Sequence, residues 1–358
     1  MKTILHIVGT RPQIIKIASL LNSKNFVGTF KNIVVDTNQH YSEKMQLNLY
    51  KDFKINLNSI NFLKNNKNTS NSIEIISNLI SKEVEKIKPN IVIVYGDTNT
   101  TVAGIIAAKK SNVPSVHIEA GLRSFLKYQV EEKNRIFVDQ NSDYLFCPTK
   151  NSIKNLKIEN IKGEAFFNGD IMLDNFLKTK LKKPNLLNIK ILSQKYYLST
   201  IHRQENIISK NKIEKIFKSF SFLDEIILLP LHHSLKIAIN KFNILNIPKN
   251  LYFIEPLVYS EMLYLVKNSL GIITDSGGLQ KDAFWLKKPT ITLRENTEWV
   301  ETLKFNQNIL INEFPSNLLE EISSIKIKNF DRYKDFGNGN AVKLTMDKIK
   351  EILIKYDQ

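Results

Sequence analysis

Cysteine is nearly absent from this chain of 358 residues, which contains one. A lone thiol can form neither an internal disulfide nor a cysteine-based zinc site. Cys147 stands in the apolar stretch Tyr144-Leu145-Phe146-Cys147. We therefore expect a buried, unreactive thiol and exclude a disulfide-stabilised scaffold.

Long hydrophobic runs are also missing. A membrane-spanning helix needs a run of about 18 or more apolar residues, which the sequence does not contain. At its start, Gly9-Thr10-Arg11-Pro12 stands where a signal peptide would need a longer apolar segment and a cleavage site. We expect a cytoplasmic protein that does not associate with membranes.

Acidic residues are scarce relative to basic ones, with 35 Asp and Glu against 51 Lys and Arg and a formal net charge of +16. Such an excess favours nucleic acid, an acidic membrane surface or a small anionic ligand. The lysines are scattered singly among Asn and Ile, without a dense basic block or interleaved aromatic residues. This distribution favours a phosphate-bearing metabolite and disfavours nucleic acid.

The chain does have a regular alternation of strand-like and helix-like segments. Its length exceeds the roughly 250 to 300 residues at which a single core usually stops growing. Continuous β-branched runs are typical of parallel strands buried on both faces. Strands are predicted at residues 4–8, 33–36, 91–95, 114–118, 197–201, 225–229, 252–254, 271–274 and 290–293. We predict two doubly wound α/β domains, covering residues 1–169 and 170–340.

Two glycine-containing turns follow predicted strands. Gly9-Thr10-Arg11-Pro12 follows residues 4–8, and Asp275-Ser276-Gly277-Gly278 follows residues 270–273. Unpaired N–H groups at a helix start attract anions, and glycine permits close approach. In doubly wound sheets, ligands bind beyond the carboxyl ends of the strands. Two such turns predict a ligand that carries a diphosphate, in the cleft between the domains.

Other polar side chains stand at the same strand ends, including Arg11, Lys16, Asp97, Glu119, Arg123, His202, Arg203, Glu255, Ser276, Arg294 and Glu298. Each has an ordinary structural explanation when taken alone. Asp97 is compatible with a helix cap, Glu119 with an ion pair to Arg123, and His202 with a satisfied core histidine. Their common position favours one ligand site.

The chain resembles the non-hydrolysing UDP-N-acetylglucosamine 2-epimerase family through motifs in family order. They are Gly9-Thr10-Arg11-Pro12-Gln13-Ile14-Ile15-Lys16, Gln39-His40, Gly96-Asp97-Thr98, His117-Ile118-Glu119-Ala120-Gly121-Leu122-Arg123, Glu131-Glu132-Lys133-Asn134-Arg135, His202-Arg203, Thr274-Asp275-Ser276-Gly277-Gly278 and Thr297-Glu298. The resemblance implies two Rossmann-like domains facing across a cleft in a GT-B-like arrangement, a homodimer, and a C-terminal helix at residues 341–358 that packs on the first domain. It also implies inversion at carbon 2 of a UDP-sugar by elimination and re-addition of UDP, without a metal or redox cofactor.

The same resemblance assigns roles to residues of this chain. Arg11, His202, Ser276, Gly277 and Gly278 are expected to hold the diphosphate, with Lys16 at the sugar-phosphate end. Asp97, Glu119 and Glu131 are expected to move protons, with the acid and base assigned jointly. Arg135 lies four residues after Glu131 and is predicted to orient or pair with it. Asp282 matches a ribose-contacting position at which glutamate is more usual.

Several departures from the family pattern bear on the sugar. Gln13, Gln204 and Trp299 stand where the UDP-N-acetylglucosamine enzymes usually have glutamate, arginine and arginine. Segments such as Gln280-Lys281-Asp282-Ala283-Phe284 and Thr297-Glu298-Trp299-Val300-Glu301 resemble the branch that epimerises UDP-2,3-diacetamido-2,3-dideoxyglucuronate. The branch pattern is incomplete at Leu126 and Val130. The expected role is to supply an N-acetylated mannose-type sugar for surface polysaccharide.

Three alternatives remain open at the level of sequence. A hydrolysing 2-epimerase would release free UDP and N-acetylmannosamine, although the Gly-Thr-Arg-Pro start disfavours it. A GT-B glycosyltransferase would require an acceptor, and the three carboxylates in family positions disfavour it. A non-catalytic UDP-sugar sensor would bind without turnover.

Overall fold

The computed structural model describes residues 1–38, 47, 50–63, 72–185 and 194–356. Gln39-His40, one of the predicted motifs, lies outside the described residues. The chain divides into two compact units, the first formed by Met1–Lys178 with Tyr333–Gln358 and the second by Thr179–Arg332. Each unit contains a parallel sheet with helices, so the prediction of two parallel-sheet α/β domains is confirmed.

The first unit is built on a parallel sheet of seven described strands in the order β3-β2-β1-β4-β5-β6-β7. The strands are β1 (Thr3–Val8), β2 (Lys31–Asp36), β3 (Ile60–Phe62), β4 (Ile91–Tyr95), β5 (Ser115–Ile118), β6 (Tyr144–Cys147) and β7 (Glu164–Phe167). The order reverses between the neighbours β1 and β4. A polar ligand site is typical of the carboxyl ends of strands at such a reversal.

The helices of the first unit mostly connect consecutive parallel strands. They are α1 (Arg11–Leu21), α2 (Lys24–Thr29), α3 (Ile73–Ile87), α4 (Asn99–Lys110), α5 (Val130–Asn141), α6 (Lys150–Ile158) and α7 (Ile171–Lys178), with a 3-10 helix at Leu57–Ser59. All five residues of β4 are fully buried, because helices cover both faces of the sheet.

The second unit repeats the plan with six described parallel strands in the order β10-β9-β8-β11-β12-β13. The strands are β8 (Tyr196–Thr200), β9 (Ile226–Pro230), β10 (Leu251–Ile254), β11 (Gly271–Thr274), β12 (Thr290–Thr292) and β13 (Asn308–Leu310). The helices are α8 (Gln204–Ile207), α9 (Lys210–Phe220), α10 (His233–Lys241), α11 (Tyr259–Asn268), α12 (Gly277–Trp285) and α13 (Leu318–Ser324), with a 3-10 segment at Val300–Asn306. Here the order reverses between β8 and β11.

The division between the units lies one helix beyond the expected position near Gly169. Helix α7 belongs to the first unit because it packs against α1, with Ile171 in the core and its carbonyl accepting a hydrogen bond from Ser19 Oγ at 3.0 Å. The chain also returns to the first unit at Tyr333, before the expected residue 341. A 3-10 helix at Lys334–Phe336 precedes the terminal helix α14 (Ala341–Lys355).

Helix α14 is fastened to α7 through a buried carboxylate. Asp174 accepts hydrogen bonds from the N–H groups of Ala341 at 3.0 Å and Val342 at 2.9 Å. These N–H groups open α14 and have no intrahelical partner, so Asp174 acts as a cap from another element. Ile349 and Leu353 of the same helix join the core of the first unit.

Two composition-based expectations bear on the described residues. No helix among them is long and apolar enough to cross a membrane. Cys147 is fully buried, and burial raises the pKa of its thiol, so the expectation of an unreactive thiol agrees with its surroundings.

Candidate active site

The first unit brings four predicted site residues together at the carboxyl ends of β4 and β5. We call this group the carboxylate cluster: Lys16, Asp97, Glu119 and Arg135. Asp97 follows β4 by two residues and Glu119 follows β5 directly. Lys16 comes from α1 and Arg135 from α5, so four separate elements contribute one side chain each.

Lys16 forms an ion pair with Glu119 in a nearly buried position, with side-chain exposures of 10% for both. Burial opposes the charge on Lys16, but Glu119, Asp97 and Asp170 outweigh it and raise the pKa of the ammonium. Gly96 makes room for the pair, because a Cβ atom there would lie 3.1 Å from Lys16 Nζ and 3.3 Å from Glu119 Oε2. Lys16 therefore stays charged beside Glu119 over the whole neutral range.

Asp97 is the more accessible carboxylate, with its side chain 29% exposed. The Arg135 guanidinium donates to Asp97 Oδ2 at 2.6 Å and to Glu132 Oε2 at 2.8 Å. Asn134 Nδ2 donates to the Asp97 carbonyl at 2.9 Å. Helix α5 thus holds both the side chain and the backbone of Asp97.

Arg135, predicted to orient or pair with Glu131, contacts Asp97 and Glu132. Glu131 is half-buried in the first turn of α5, whereas its neighbour Glu132 is 1% exposed. Glu132 accepts from the backbone N–H groups of Ser124 and Phe125, each at 2.9 Å, as well as from Arg135. The i+4 spacing places Glu131 and Arg135 on one helix face but takes no account of Asp97 from another element.

Gln13 joins the loop after β1 to the loop after β4. Its Oε1 accepts from Gly9 N at 2.9 Å and Thr10 N at 3.1 Å, and its Nε2 donates to the Tyr95 carbonyl at 2.8 Å and Thr98 Oγ1 at 3.0 Å. The side chain is 1% exposed. Gln13 consequently organises the loops that surround the carboxylate cluster. Arg11, predicted to bind diphosphate, begins α1 beside it and is half-buried.

In the second unit, the fully buried Asp275 organises the loop that carries His202. Its carboxylate accepts from the backbone N–H of His202 at 3.0 Å, the N–H of Arg203 at 2.9 Å and Asn206 Nδ2 at 3.1 Å. His202 Nδ1 lies 3.2 Å from Asp275 Oδ1, and its side chain is 34% exposed. His202 is therefore an oriented, accessible ring at the end of β8, and the alternative of a core histidine is excluded.

Ser276, Gly277 and Gly278 lie where β11 turns into α12, as predicted. Ser276 caps the helix, its Oγ accepting from Leu279 N at 3.4 Å. A Cβ at Gly277 would lie 2.6 Å from Glu298 Oε1, so a side chain there would displace this carboxylate. At Gly278 the nearest such atom is 4.0 Å away. The open backbone that an anion could approach is thus at Gly278.

Two arginines and a glutamate flank this turn. Arg294 Nη2 lies 2.7 Å from Glu298 Oε2, and Arg203 Nη2 lies 3.6 Å from Glu298 Oε1. The Arg294 side chain is fully buried. Glu298 therefore sits among three features that favour anions: the start of α12, Arg203 and Arg294.

Asp282 lies on α12 and is 4% exposed, with Oδ1 accepting from Tyr259 Oη at 2.8 Å. Its neighbour Lys281 lies 3.6 Å from the ring centre of Trp299, and both side chains are buried. Gln280 Oε1 accepts from Thr297 Oγ1 at 2.8 Å. The two segments that carry the branch resemblance therefore pack against each other.

Three functional candidates were not among the predicted site residues: Asp275, Glu132 and Gln13. All three lie inside motifs that identify the family, but none of them was given a role. Its position could have indicated Asp275, because it directly follows the buried strand β11. A buried carboxylate needs hydrogen-bond or ion-pair partners.

The sequence model of one family, UDP-N-acetylglucosamine 2-epimerase, matches residues 24–350 of this chain. The chain belongs to that family. Family membership makes it an enzyme of the epimerase class, which confirms the predicted family and class.

Related family proteins are similar over nearly their whole lengths. A UDP-N-acetylglucosamine 2-epimerase homolog of Methanococcus maripaludis is 40% identical over 352 residues, covering 94% of this chain and 96% of the relative. The UDP-2,3-diacetamido-2,3-dideoxy-D-glucuronate 2-epimerase of Pseudomonas aeruginosa is 36% identical over 358 residues, with the same coverages. A crystal structure of the Methanocaldococcus jannaschii UDP-GlcNAc 2-epimerase with UDP-GlcNAc and UDP has a TM-score of 0.86 at 34% identity, covering 98% of this chain and 100% of that one.

Proposed function

We propose that this family member inverts carbon 2 of a UDP-N-acetylhexosamine by eliminating and re-adding UDP. The hydrogen on carbon 2 is not adjacent to a carbonyl, so its direct removal would require an unreasonably strong base. Loss of UDP from carbon 1 removes that difficulty. A carboxylate takes the proton as the bond from carbon 1 to the diphosphate breaks, and an unsaturated glycal and UDP result. A proton then returns to the opposite face as UDP re-forms its bond to carbon 1.

One observation carries this proposal. Asp97 and Glu119 stand at the ends of adjacent strands, each held by a cation from a different helix. Two fixed carboxylates at neighbouring strand ends suit removal and return of a proton at one carbon. Glu131, half-buried in α5, is the third carboxylate in the proposed set.

The second unit supplies groups suited to a departing diphosphate. His202, Ser276 and Gly278 present an oriented imidazole, a capped helix start and open backbone. With Arg11 and Lys16 they form the proposed diphosphate set, because cations and N–H donors stabilise the charge that develops on a leaving phosphate. Gly277 keeps its proposed place beside the diphosphate, and Asp282 its proposed place at the ribose.

The reaction is tested by incubating the protein in heavy water with each candidate UDP-sugar, UDP-N-acetylglucosamine and its 2,3-diacetamido-glucuronate analogue. We expect the carbon 2 epimer with deuterium at that carbon and with UDP still attached. Release of free sugar and UDP would indicate the hydrolysing reaction. Absence of both the epimer and deuterium would overturn the proposal.

The carboxylate cluster is tested by Asp97→Asn, which we expect to lower kcat by about 10²- to 10⁴-fold through loss of acid–base function. Asp143→Asn is the matched control. Asp143 lies at the opposite, amino end of the same sheet, where it accepts from Ser115 N at 2.9 Å. Equal activity loss in both variants would exclude a special role for Asp97.

Two sugar nucleotides are proposed as substrates: UDP-N-acetylglucosamine and its 2,3-diacetamido-glucuronate analogue. They are compared side by side. A pocket that pairs polar groups with a sugar carboxylate penalises the neutral hydroxymethyl analogue, because those groups lose their partner. The more efficiently used substrate, by kcat/KM, identifies the branch.

We also propose that the enzyme is a cytoplasmic homodimer that supplies a mannose-type sugar for surface polysaccharide. The motif resemblance supports this assignment. Light scattering is expected to give twice the mass of the chain, and a monomer would contradict it.

A further inference from the structure

Glu119 has a backbone conformation that is uncommon for a residue with a side chain. Its φ angle is +79°, in the left-handed region. Such a conformation costs free energy and persists where the surroundings determine it. The turn that carries this proposed catalytic carboxylate therefore depends on the contacts around it.

Those contacts come from β6, α5 and α6. Phe146 O accepts from Glu119 N at 3.1 Å and from Ala120 N at 3.2 Å. Gly121 N donates to Asp139 Oδ2 at 3.0 Å, and a Cβ at Gly121 would lie 2.3 Å from the Ser152 carbonyl oxygen. Two side chains are among these partners: Asp139 on α5, and Asn155 on α6, whose Nδ2 donates to the Gly121 carbonyl at 2.9 Å.

His117 connects Asp139 to the other carboxylate loop. Its Nδ1 lies 2.7 Å from Asp139 Oδ1, and its Nε2 lies 2.8 Å from the carbonyl oxygen of Gly96, the residue before Asp97. A carbonyl only accepts, so Nε2 donates to Gly96. One imidazole thus joins the loop of Asp97 to the turn of Glu119 through Asp139.

The contact between His117 and Asp139 is fully buried and is stabilised by further contacts. His117 and Asp139 are both 0% exposed, and Arg123 Nη1 donates to Asp139 Oδ2 at 2.7 Å while its other nitrogens bind Glu159. Burial disfavours the ionised Asp139, but the contacts with His117 and Arg123 outweigh it and lower the pKa of this carboxyl. A buried, charged network of this kind holds its members in one arrangement.

We propose that His117, acting with Asp139, is a positioning residue of the epimerisation that sets the separation between Asp97 and Glu119. This inference rests on the proposed function. His117 acts through the backbone of Gly96 and through Asp139, and its role is to keep both carboxylates where one carbon atom can exchange protons with them. Misplacement of a reacting group by about 1 Å can cost about 100-fold in rate.

The described part of the chain provides a matched control in a second buried sheet histidine. His6 on β1 is also 0% exposed and also makes two hydrogen bonds, to Tyr95 Oη at 2.7 Å and Asn32 Oδ1 at 2.9 Å. Neither of these bonds reaches the backbone of Gly96 or the turn of Glu119. His6→Gln and His117→Gln therefore remove comparable buried rings, but only the second removes the side-chain link between the two loops. The backbone hydrogen bond from Gly96 N to Ile118 O, at 3.0 Å, stays in both variants.

The experiment measures kcat, the Kd for UDP and the thermal midpoint for the wild type and both variants. We expect His117→Gln to lower kcat by about 100-fold with little change in UDP affinity, because His202, Ser276 and Gly278 of the proposed diphosphate set belong to the second unit. His6→Gln is expected to lower the thermal midpoint and leave kcat per folded molecule near that of the wild type. If His117→Gln does not fold, Asp139→Asn is measured in the same way.

Equal kcat in the wild type and His117→Gln would overturn the inference and leave the proposed function intact. A similar proportional loss of kcat in both histidine variants would also overturn it, because the role would then be general stability. A wild-type protein that binds UDP but never epimerises a UDP-sugar would overturn the proposed function itself, and the positioning role with it.

Discussion

His6 illustrates how one buried side chain affects the behaviour of the fold. Both of its ring nitrogens are hydrogen-bonded inside the first unit, to Tyr95 and Asn32. Burial lowers the pKa of His6 from 6.5 to about 4, against the opposing effect of the Asn32 hydrogen bond. The folded protein therefore binds this proton less readily than the unfolded chain.

This difference predicts how stability depends on pH. Above pH 6.5 the contribution of His6 is complete, and it is lost progressively as the pH falls towards about 4. Between about pH 7 and pH 5, protonation of His6 in the unfolded chain should lower the unfolding free energy by about 2 kcal/mol. Urea unfolding at both pH values measures the change. His6→Gln should reduce it by that amount, and an unaltered pH dependence in the variant would contradict the assignment.

At the scale of individual residues, the site residues could be predicted from sequence but their partners could not. Asp97, Glu119, Lys16 and Arg135 could be chosen because they follow buried strands or lie in recognisable motifs. Their partners could not, since Glu119 binds Lys16 instead of Arg123, and Arg135 binds Asp97 and Glu132. Which ion pairs form depends on distances between elements that are far apart in the chain.

Edge strands show the same limit at the scale of secondary structure. The buried strands β4 and β11 have the predicted bounds, because a continuous apolar run is typical of a parallel strand buried on both faces. The edge strands β3, β7 and β13 were not predicted, because they are short, partly exposed and paired on one side only, and so carry little hydrophobic pattern. The interior strand β6 was not predicted as a strand either, since its four residues indicated only an apolar stretch.

Helix α12 and the segment after β12 depend on each other through Lys281 and Trp299. The buried ammonium lies over the indole ring, so Trp299→Arg would place a second cation beside it. We expect the unfolding free energy to fall by about 2 kcal/mol, a typical value for a desolvated cation–ring contact. Urea unfolding measures the loss.

The aromatic control for this contact is Trp299→Phe, which retains a ring face and should lose less stability. The double variant Lys281→Glu with Trp299→Arg restores opposite charges and should recover part of the loss. Additive effects in this cycle would show that the two residues act independently.

At the scale of the whole molecule, the end of the chain helps to complete the first unit. Ile349 on α14 is fully buried in that core, whereas Leu344 on the same helix is 40% exposed. Ile349→Ala should therefore cost about 2 to 5 kcal/mol, and Leu344→Ala much less.

Hydrogen exchange followed by mass spectrometry shows where this loss occurs. Peptides from α1, α2 and α7 should lose protection in Ile349→Ala, because these helices belong to the same unit as α14. Peptides from the second unit should retain theirs. Equal loss in both units would mean that the units unfold together.

The return of the chain at Tyr333 has a consequence for biosynthesis. Protein domains usually fold in the order in which they leave the ribosome. In this chain the second unit is contiguous and is fully synthesised before the first, whose cap at Asp174 waits for the N–H groups of Ala341 and Val342. The order of completion is thus reversed, and the carboxylate cluster belongs to the half of the enzyme that is finished last.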